Sequence, residues 1–277
     1  MKIHASLKLL IIFILLIPVT LLSAFFYIYS KIPTTKELRG CLTSTMHQVY
    51  LCPKSKNYVP LSRISNVLKK TVVLTEDSAF YQHHGFDWKS IEKSARENME
   101  KGKYVRGGST ITQQLAKNLF LVKEKTLMRK FFEGLIALKL EKDLTKNEIL
   151  EKYLNVIEFG NKIYGIEAAS RHYFKKSAAD LTAAESAFMA MLLPSPKKYS
   201  ASFQKKNLTH FAEKRIQKIL SDMFQYERID LATYEQAQQQ VPALFTPELM
   251  NLNPEITTNE SETTDVEDPF ESSETEE

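Results

Sequence analysis

The feature that most restricts this chain is the stretch from Leu9 to Tyr29, 21 residues without a charged side chain. A helix rising 1.5 Å per residue would make it about 30 Å long, the thickness of a bilayer's hydrocarbon core. Tyr27 and Tyr29 stand where interfacial aromatics gather, and Pro18 is a kink that membrane helices tolerate. A cleaved signal peptide has a shorter apolar core followed by a small-residue cleavage site. Neither is evident, so the segment reads as a retained single-pass anchor. Lys2 and Lys8 precede it while Lys31, Lys36 and Arg39 follow it, so the basic residues leave its orientation open.

Beyond the anchor the chain reads as helix. Only 8 Gly and 10 Pro occur in 277 residues, too few turn formers for an all-β sandwich. The organisation expected is a cytoplasmic N-terminus (1–8), the anchor (9–29), a connector (30–60), one mostly α-helical body (61–246) and an acidic tail (247–277). A short strand is expected around His47–Leu51. Asp87 is placed to cap a helix from Trp88 towards Lys101, with Gly102 ending it. Thr110 or Thr112 opens a helix through Asn118, and a long one spans about Thr126–Lys142. Thr145/Glu148 and Thr182/Glu185 have capping-box spacing. Two further helices are expected, about Leu208–Phe224 and Leu231–Gln240. Cys41 and Cys52 are close enough in sequence to bridge in an oxidising compartment and have no zinc-ligand company.

The charge is unevenly spread. From Pro247 to Glu277 there are eleven Asp and Glu and no Lys or Arg, so the rest carries 37 basic residues against 22 acidic ones. Such a body suits an anionic partner. The Glu-, Thr- and Ser-rich tail has too little apolar area to fold and is expected to be disordered.

Four motifs stand out: Glu76-Asp77 through Phe80, His83, His84, Gly85 and Asp87; Gly107-Gly108-Ser109-Thr110 through Gln113, Gln114, Lys117 and Asn118; Arg129-Lys130 through Glu133 to Glu141; and Lys146 through Glu151, Tyr153 and Asn155 to Glu158-Phe159-Gly160. Each has a bland reading. Glu76-Asp77 could be a charged helix end, Gly107-Gly108 a turn, Lys125, Arg129 and Glu133 a solvated ladder worth a few tenths of a kcal/mol per pair. His83 and His84 read as structural, and Tyr153, Leu154 and Phe159 as core.

In order and spacing, however, the four together resemble glycosyltransferase family 51, the peptidoglycan transglycosylases, over about Leu61–Tyr199. Asn155-Val-Ile-Glu158-Phe159-Gly160 is similar to the monofunctional biosynthetic members. The resemblance implies a lysozyme-like, mostly α-helical domain that polymerises lipid II into β-1,4-linked strands and releases undecaprenyl diphosphate. It implies that Glu76 is the general base and Glu133 the second essential carboxylate. Substrate contacts fall, by the same resemblance, on Asp77, Phe80, His83, Gly85, Gly108, Ser109, Thr110, Gln113, Gln114, Lys117, Asn118, Lys125, Arg129 and Lys130. A sugar hydroxyl is a poor nucleophile until a carboxylate takes its proton, and a departing diphosphate needs cations. Lys125 stands where many relatives carry Arg, keeping the charge without the two-pronged contact.

The resemblance further implies an inner-membrane location with the catalytic domain in the periplasm, and lipid II, the growing strand and the bilayer as partners. A cell-wall synthesis complex is a further possible partner, and no nucleic acid is expected. A divalent cation (Mg2+ or Mn2+) held by Glu133 is expected to support the reaction at least in part. Ser195-Pro-Lys-Lys198 and Ser202-Phe-Gln-Lys205 match Ser-x-x-Lys but precede no Lys-Thr-Gly triplet, so no transpeptidase is expected. Two other classes compete: a glycan-cleaving hydrolase, which has no need of a cationic row, and a membrane scaffold, which has no need of Glu76 or Glu133.

Overall fold

A computed structural model describes residues 2–102, 107–124, 126–204 and 207–245. The expected disordered tail therefore lies outside the described residues. The chain is built almost wholly of helices with two small hairpins. Helix α1 (Lys2–Lys31) contains the uncharged stretch and is long and apolar enough to cross a membrane. Leu21, Phe25 and Phe26 on it are 60–65% exposed, as expected of a helix that has no protein around it.

The expected connector does more than connect. Helix α2 (Thr35–Arg39) starts with a capping box between Thr34 and Glu37 and buries Leu38. Strands β1 (Leu42–Thr43) and β2 (Tyr50–Leu51) form an antiparallel hairpin, and Cys41 and Cys52 are disulfide-bonded at its open end. Leu38, Leu51 and Val59 join the same buried cluster as the helices that follow. The strand expected over His47–Leu51 is shorter than predicted: Gln48 has φ 55°, a turn conformation that breaks the extended run.

The body is arranged about α9 (Ala183–Leu192). Every residue of this helix except Glu185 is buried, the pattern of a helix surrounded by protein on all sides. Against it pack α3 (Asn66–Glu76), α12 (His210–Gln225) and α13 (Leu231–Gln240). A second layer places α5 (Ile111–Phe120) between α6 (Leu127–Asp143) and α7 (Lys146–Val156). Helix α4 (Trp88–Glu100) is capped by Asp87, whose carboxylate accepts from Ser90 N at 3.0 Å. Strands β3 (Glu158–Gly160) and β4 (Ile163–Tyr164) form the second hairpin and lead into α8 (Ile166–Phe174). The expected capping boxes at Thr145/Glu148 and Thr182/Glu185 are formed on both sides, as is one at Thr110/Gln113.

Candidate active site

The site is assembled where α3 ends and α5 and α6 begin. Helix α3 buries Leu68, Thr71 and Val72 against the body, which fixes the position of its last residue, Glu76. Gln114, on the first turns of α5, donates from Nε2 to Glu76 Oε2 at 2.9 Å. Its own Oε1 accepts from the fully buried Tyr153 hydroxyl at 3.0 Å, so the amide has a single useful orientation. Burial pushes the Glu76 carboxyl above the ordinary carboxylate range. The Gln114 hydrogen bond, Arg215 and Lys117 pull the other way, and neighbouring Asp77 adds to the rise. A carboxylate made more basic in this way suits a proton acceptor.

Behind Glu76 the chain turns back as a loop bolted to α5. Asp77 accepts from His83 Nε2 at 2.9 and 3.0 Å and from the amide of Ile111, the first residue of α5, at 2.9 Å. Those bonds offset the burial that raises its pKa, and the helix N-terminus favours the charge. Phe80 is fully buried, with the Lys146 ammonium 4.5 Å from its ring centre. Lys146 pairs with Glu141 at 2.7 Å, and Glu141 accepts from Thr112 at 2.5 Å. Gly85 has φ +91°, where an L side chain is strained, and its carbonyl accepts from the Thr110 hydroxyl at 2.7 Å.

The second carboxylate is on α6. Glu133 is 3% exposed, with Arg129 Nη1 at 3.1 Å from one oxygen and the Lys130 ammonium on the other. Lys130 also donates to Ser109 Oγ at 3.1 Å, tying the Gly107-Gly108 loop to the cations. Gly108 permits this: a Cβ there would come within 3.0 Å of the Ile91 Cα on α4. Lys117, one turn beyond Gln114 on the partly exposed face of α5, stands between the two acids electrostatically. Burial lowers its pKa, Glu133 and Glu76 both raise it, and Arg129 and Lys130 lower it. Its ammonium is thus within electrostatic reach of both carboxylates and makes no ion pair with the described residues. Glu76 and Glu133 are thus both coupled electrostatically to one lysine of α5, the centre of the candidate cleft.

Not every expected contact residue faces that cleft. Glu76, Ser109, Gln114, Lys117, Arg129, Lys130 and Glu133 are brought together. Asp77, Phe80, Thr110, Gln113 and Asn118 are buried, and the polar ones use their side chains within the protein. Gln113 closes the cap with Thr110 N at 3.1 Å, and Asn118 donates to the Gln114 carbonyl at 2.9 Å. His83 is committed to Asp77, and Gly85 to the turn. In this structure these residues spend their side chains on holding the site in shape, and their contact with substrate stays an expectation of the resemblance. Lys125 lies outside the described residues. Of the expected helical row, Arg129 and Glu133 lie one turn apart on α6.

The metal expected at Glu133 does not fit the donor set either. Both Glu133 oxygens are taken by cations, and Lys117 adds a third positive group, surroundings that repel a dication. Among the described residues no three His, Cys, Asp or Glu side chains form a metal-binding group. Surroundings of that sign suit an anion instead, and the buried Nε of Arg129 has no hydrogen-bond partner among the described residues.

Arg215 is the site residue that the sequence reading missed. Its positive charge on α12 helps to lower the Glu76 pKa, and α12 packs on α3, which carries Glu76. On its own helix it lies beside the buried Ala212, Ile216 and Ile219 and carries no local signal.

A family model described as transglycosylase matches residues 43–224. A biosynthetic peptidoglycan transglycosylase of Thiobacillus denitrificans is 55% identical over 142 residues, 51% of this chain and 61% of that protein. One of Nitrosomonas eutropha is 47% identical over 177 residues, 64% of this chain and 72% of that protein. One of Alcanivorax borkumensis is 54% identical over 137 residues, 50% of this chain and 56% of that protein. The matched stretch thus spans less than two thirds of two of these three relatives.

Proposed function

This chain belongs to the transglycosylase family, and on that premise we propose that it polymerises lipid II into β-1,4-linked peptidoglycan strands. Glu76 takes the proton of the acceptor sugar hydroxyl as the oxygen attacks the anomeric carbon of a lipid-diphosphate-linked glycan. The bond between that carbon and the diphosphate oxygen breaks, its electron pair leaves with the diphosphate, and the configuration inverts. Undecaprenyl diphosphate departs against Lys117, Arg129 and Lys130. Glu133 fixes Arg129 and Lys130 in place, so the cations face the leaving group without rearranging as its charge develops.

The observation that carries this reading is Lys117, an unpaired half-buried ammonium within reach of both Glu76 and Glu133. A lysozyme-like cleavage site needs acids but has no use for that cation or for the pair beside it. Helix α1 supports a single-pass anchor in the bacterial inner membrane with the body on the periplasmic side, where a substrate whose lipid tail stays in the bilayer can be reached. The disulfide suits that oxidising side. The test is incubation of the purified protein with labelled lipid II. Strands longer than the input disaccharide are expected, and Glu133→Gln is expected to lower their rate of formation by about 10²-fold or more. Shortened sacculi with no polymer would mean a hydrolase instead.

A further inference from the structure

A second concave site lies apart from the two acids. A pocket of about 490 Å³ opens between the β1–β2 hairpin and β3–β4, within the roughly 300–1,000 Å³ usual for small-ligand sites. We infer that this pocket is a subsite for a carboxylate-bearing sugar unit of the glycan strand, removed from the reacting centre. The inference rests on the polymerising reading above.

Chemistry points to that class of ligand. Tyr50 and Tyr58 offer aromatic rings to a sugar, and Lys56 and Lys162 give positive charge. No Asp or Glu is among the lining residues; Glu158 and Glu151 stand behind them, on the Lys162 amide and the Tyr58 hydroxyl. The peptide-substituted sugars of peptidoglycan carry carboxylates that match the two lysines. Tyr50 is 57% exposed, so its ring is open to a ligand.

Position points the same way. Thr45 N donates to the carbonyl of Leu119 at 2.8 Å, which ties the hairpin to α5 two residues beyond Lys117. His47, two residues on from Thr45, lines the pocket, so this tie sets the pocket near the C-terminal end of α5, the helix that carries Lys117. The walls are fixed before any ligand arrives. His47 and Tyr164 stack with ring centres 4.6 Å apart and are hydrogen-bonded at 3.1 Å, joining one hairpin to the other. The disulfide closes the base of the first hairpin, and the buried Asn155 amide clamps both backbone groups of Val59 at 2.9 Å. A polymerising enzyme that retains its product between additions needs such a foothold, because each extra subsite contact slows strand release.

The test uses the full chain. In the Glu76→Gln protein, binding of a soluble two-repeat muropeptide oligosaccharide is measured beside a chitin oligomer of equal length. Lys56→Gln/Lys162→Gln is expected to weaken the muropeptide oligomer about tenfold and the chitin oligomer much less. In the otherwise native chain, the same double variant and Tyr50→Ala are expected to make shorter strands from lipid II. All three positions are exposed, and unchanged melting temperatures are expected to show that the fold is kept. Equal affinity together with wild-type strand length would overturn the subsite. A native chain that makes no strands at all would overturn the polymerising reading, and the binding comparison would then judge the pocket alone.

Discussion

Glu76 accepts a hydrogen bond from Gln114 while burial pushes its carboxyl up, and this balance sets the acid side of the pH–rate profile. The rate should rise with pH as Glu76 loses its proton, at a pH above the ordinary glutamate value. Gln114→Leu removes a bond that favours the charged form, so the rising limb should move to higher pH; an unmoved limb would separate Gln114 from the base. The same change strands the buried Tyr153 hydroxyl and should cost about 1–3 kcal/mol by chemical denaturation. Stability follows the opposite sign to rate. A carboxyl whose pKa is raised on folding contributes stability that is full below about 4.5 and is lost as pH rises through the folded value. Glu76→Gln should therefore stabilise the fold more at about pH 8 than at about pH 4, measured by melting the two proteins side by side. The motifs that hold these acids and cations could be read in the sequence because each is local. The burial of Asp77 and Gln113 could not, since they look as polar as their neighbours and only packing turns them inward.

The elements divide by how local their causes are. Thr110, Thr145 and Thr182 cap their helices with a partner three residues on, a signal contained in four residues, and the structure forms all three caps. Thr34 and Glu37 have the same spacing but were absorbed into the expected connector. Strands of two or three residues carry no periodicity to detect, so β3 and β4 emerge only from pairing across the turn. Helix α5 is the element on which the site depends, because it touches the first acid, carries Lys117 and anchors the loop before it. Thr110→Ala loses the cap and the bond to the Gly85 carbonyl. It should cost about 1–2 kcal/mol, a fall of about 2–8 °C in Tm at this size. A change within about 0.5 kcal/mol would place the stability of the loop elsewhere.

At the scale of the molecule, α1 is long and apolar enough to cross a membrane, and in the proposed reading it brings the body to a lipid surface. Tyr27 on α1 lies 6.2 Å from the Phe132 ring, and Leu127, Met128 and Phe131 at the start of α6 are exposed nearby, Leu127 by 92%. The full chain should float with liposomes, and replacing Leu127, Met128 and Phe131 with Ser should lower turnover of bilayer-embedded substrate more than that of a short-chain soluble analogue. Equal losses on both would argue against lipid contact. The long apolar helix was plain in the sequence because hydropathy needs no partner to be read, whereas Arg215 could be found only once α12 was seen against α3. The central claim is that Glu76 removes the proton that starts strand growth, in a cleft whose cations receive the diphosphate. It is tested most directly by the rate of polymer formation from labelled lipid II with Glu76→Gln, a near-isosteric change that cannot accept a proton. The account predicts a fall of about 10²-fold or more with the fold intact; strands made by this variant at the native rate would contradict it.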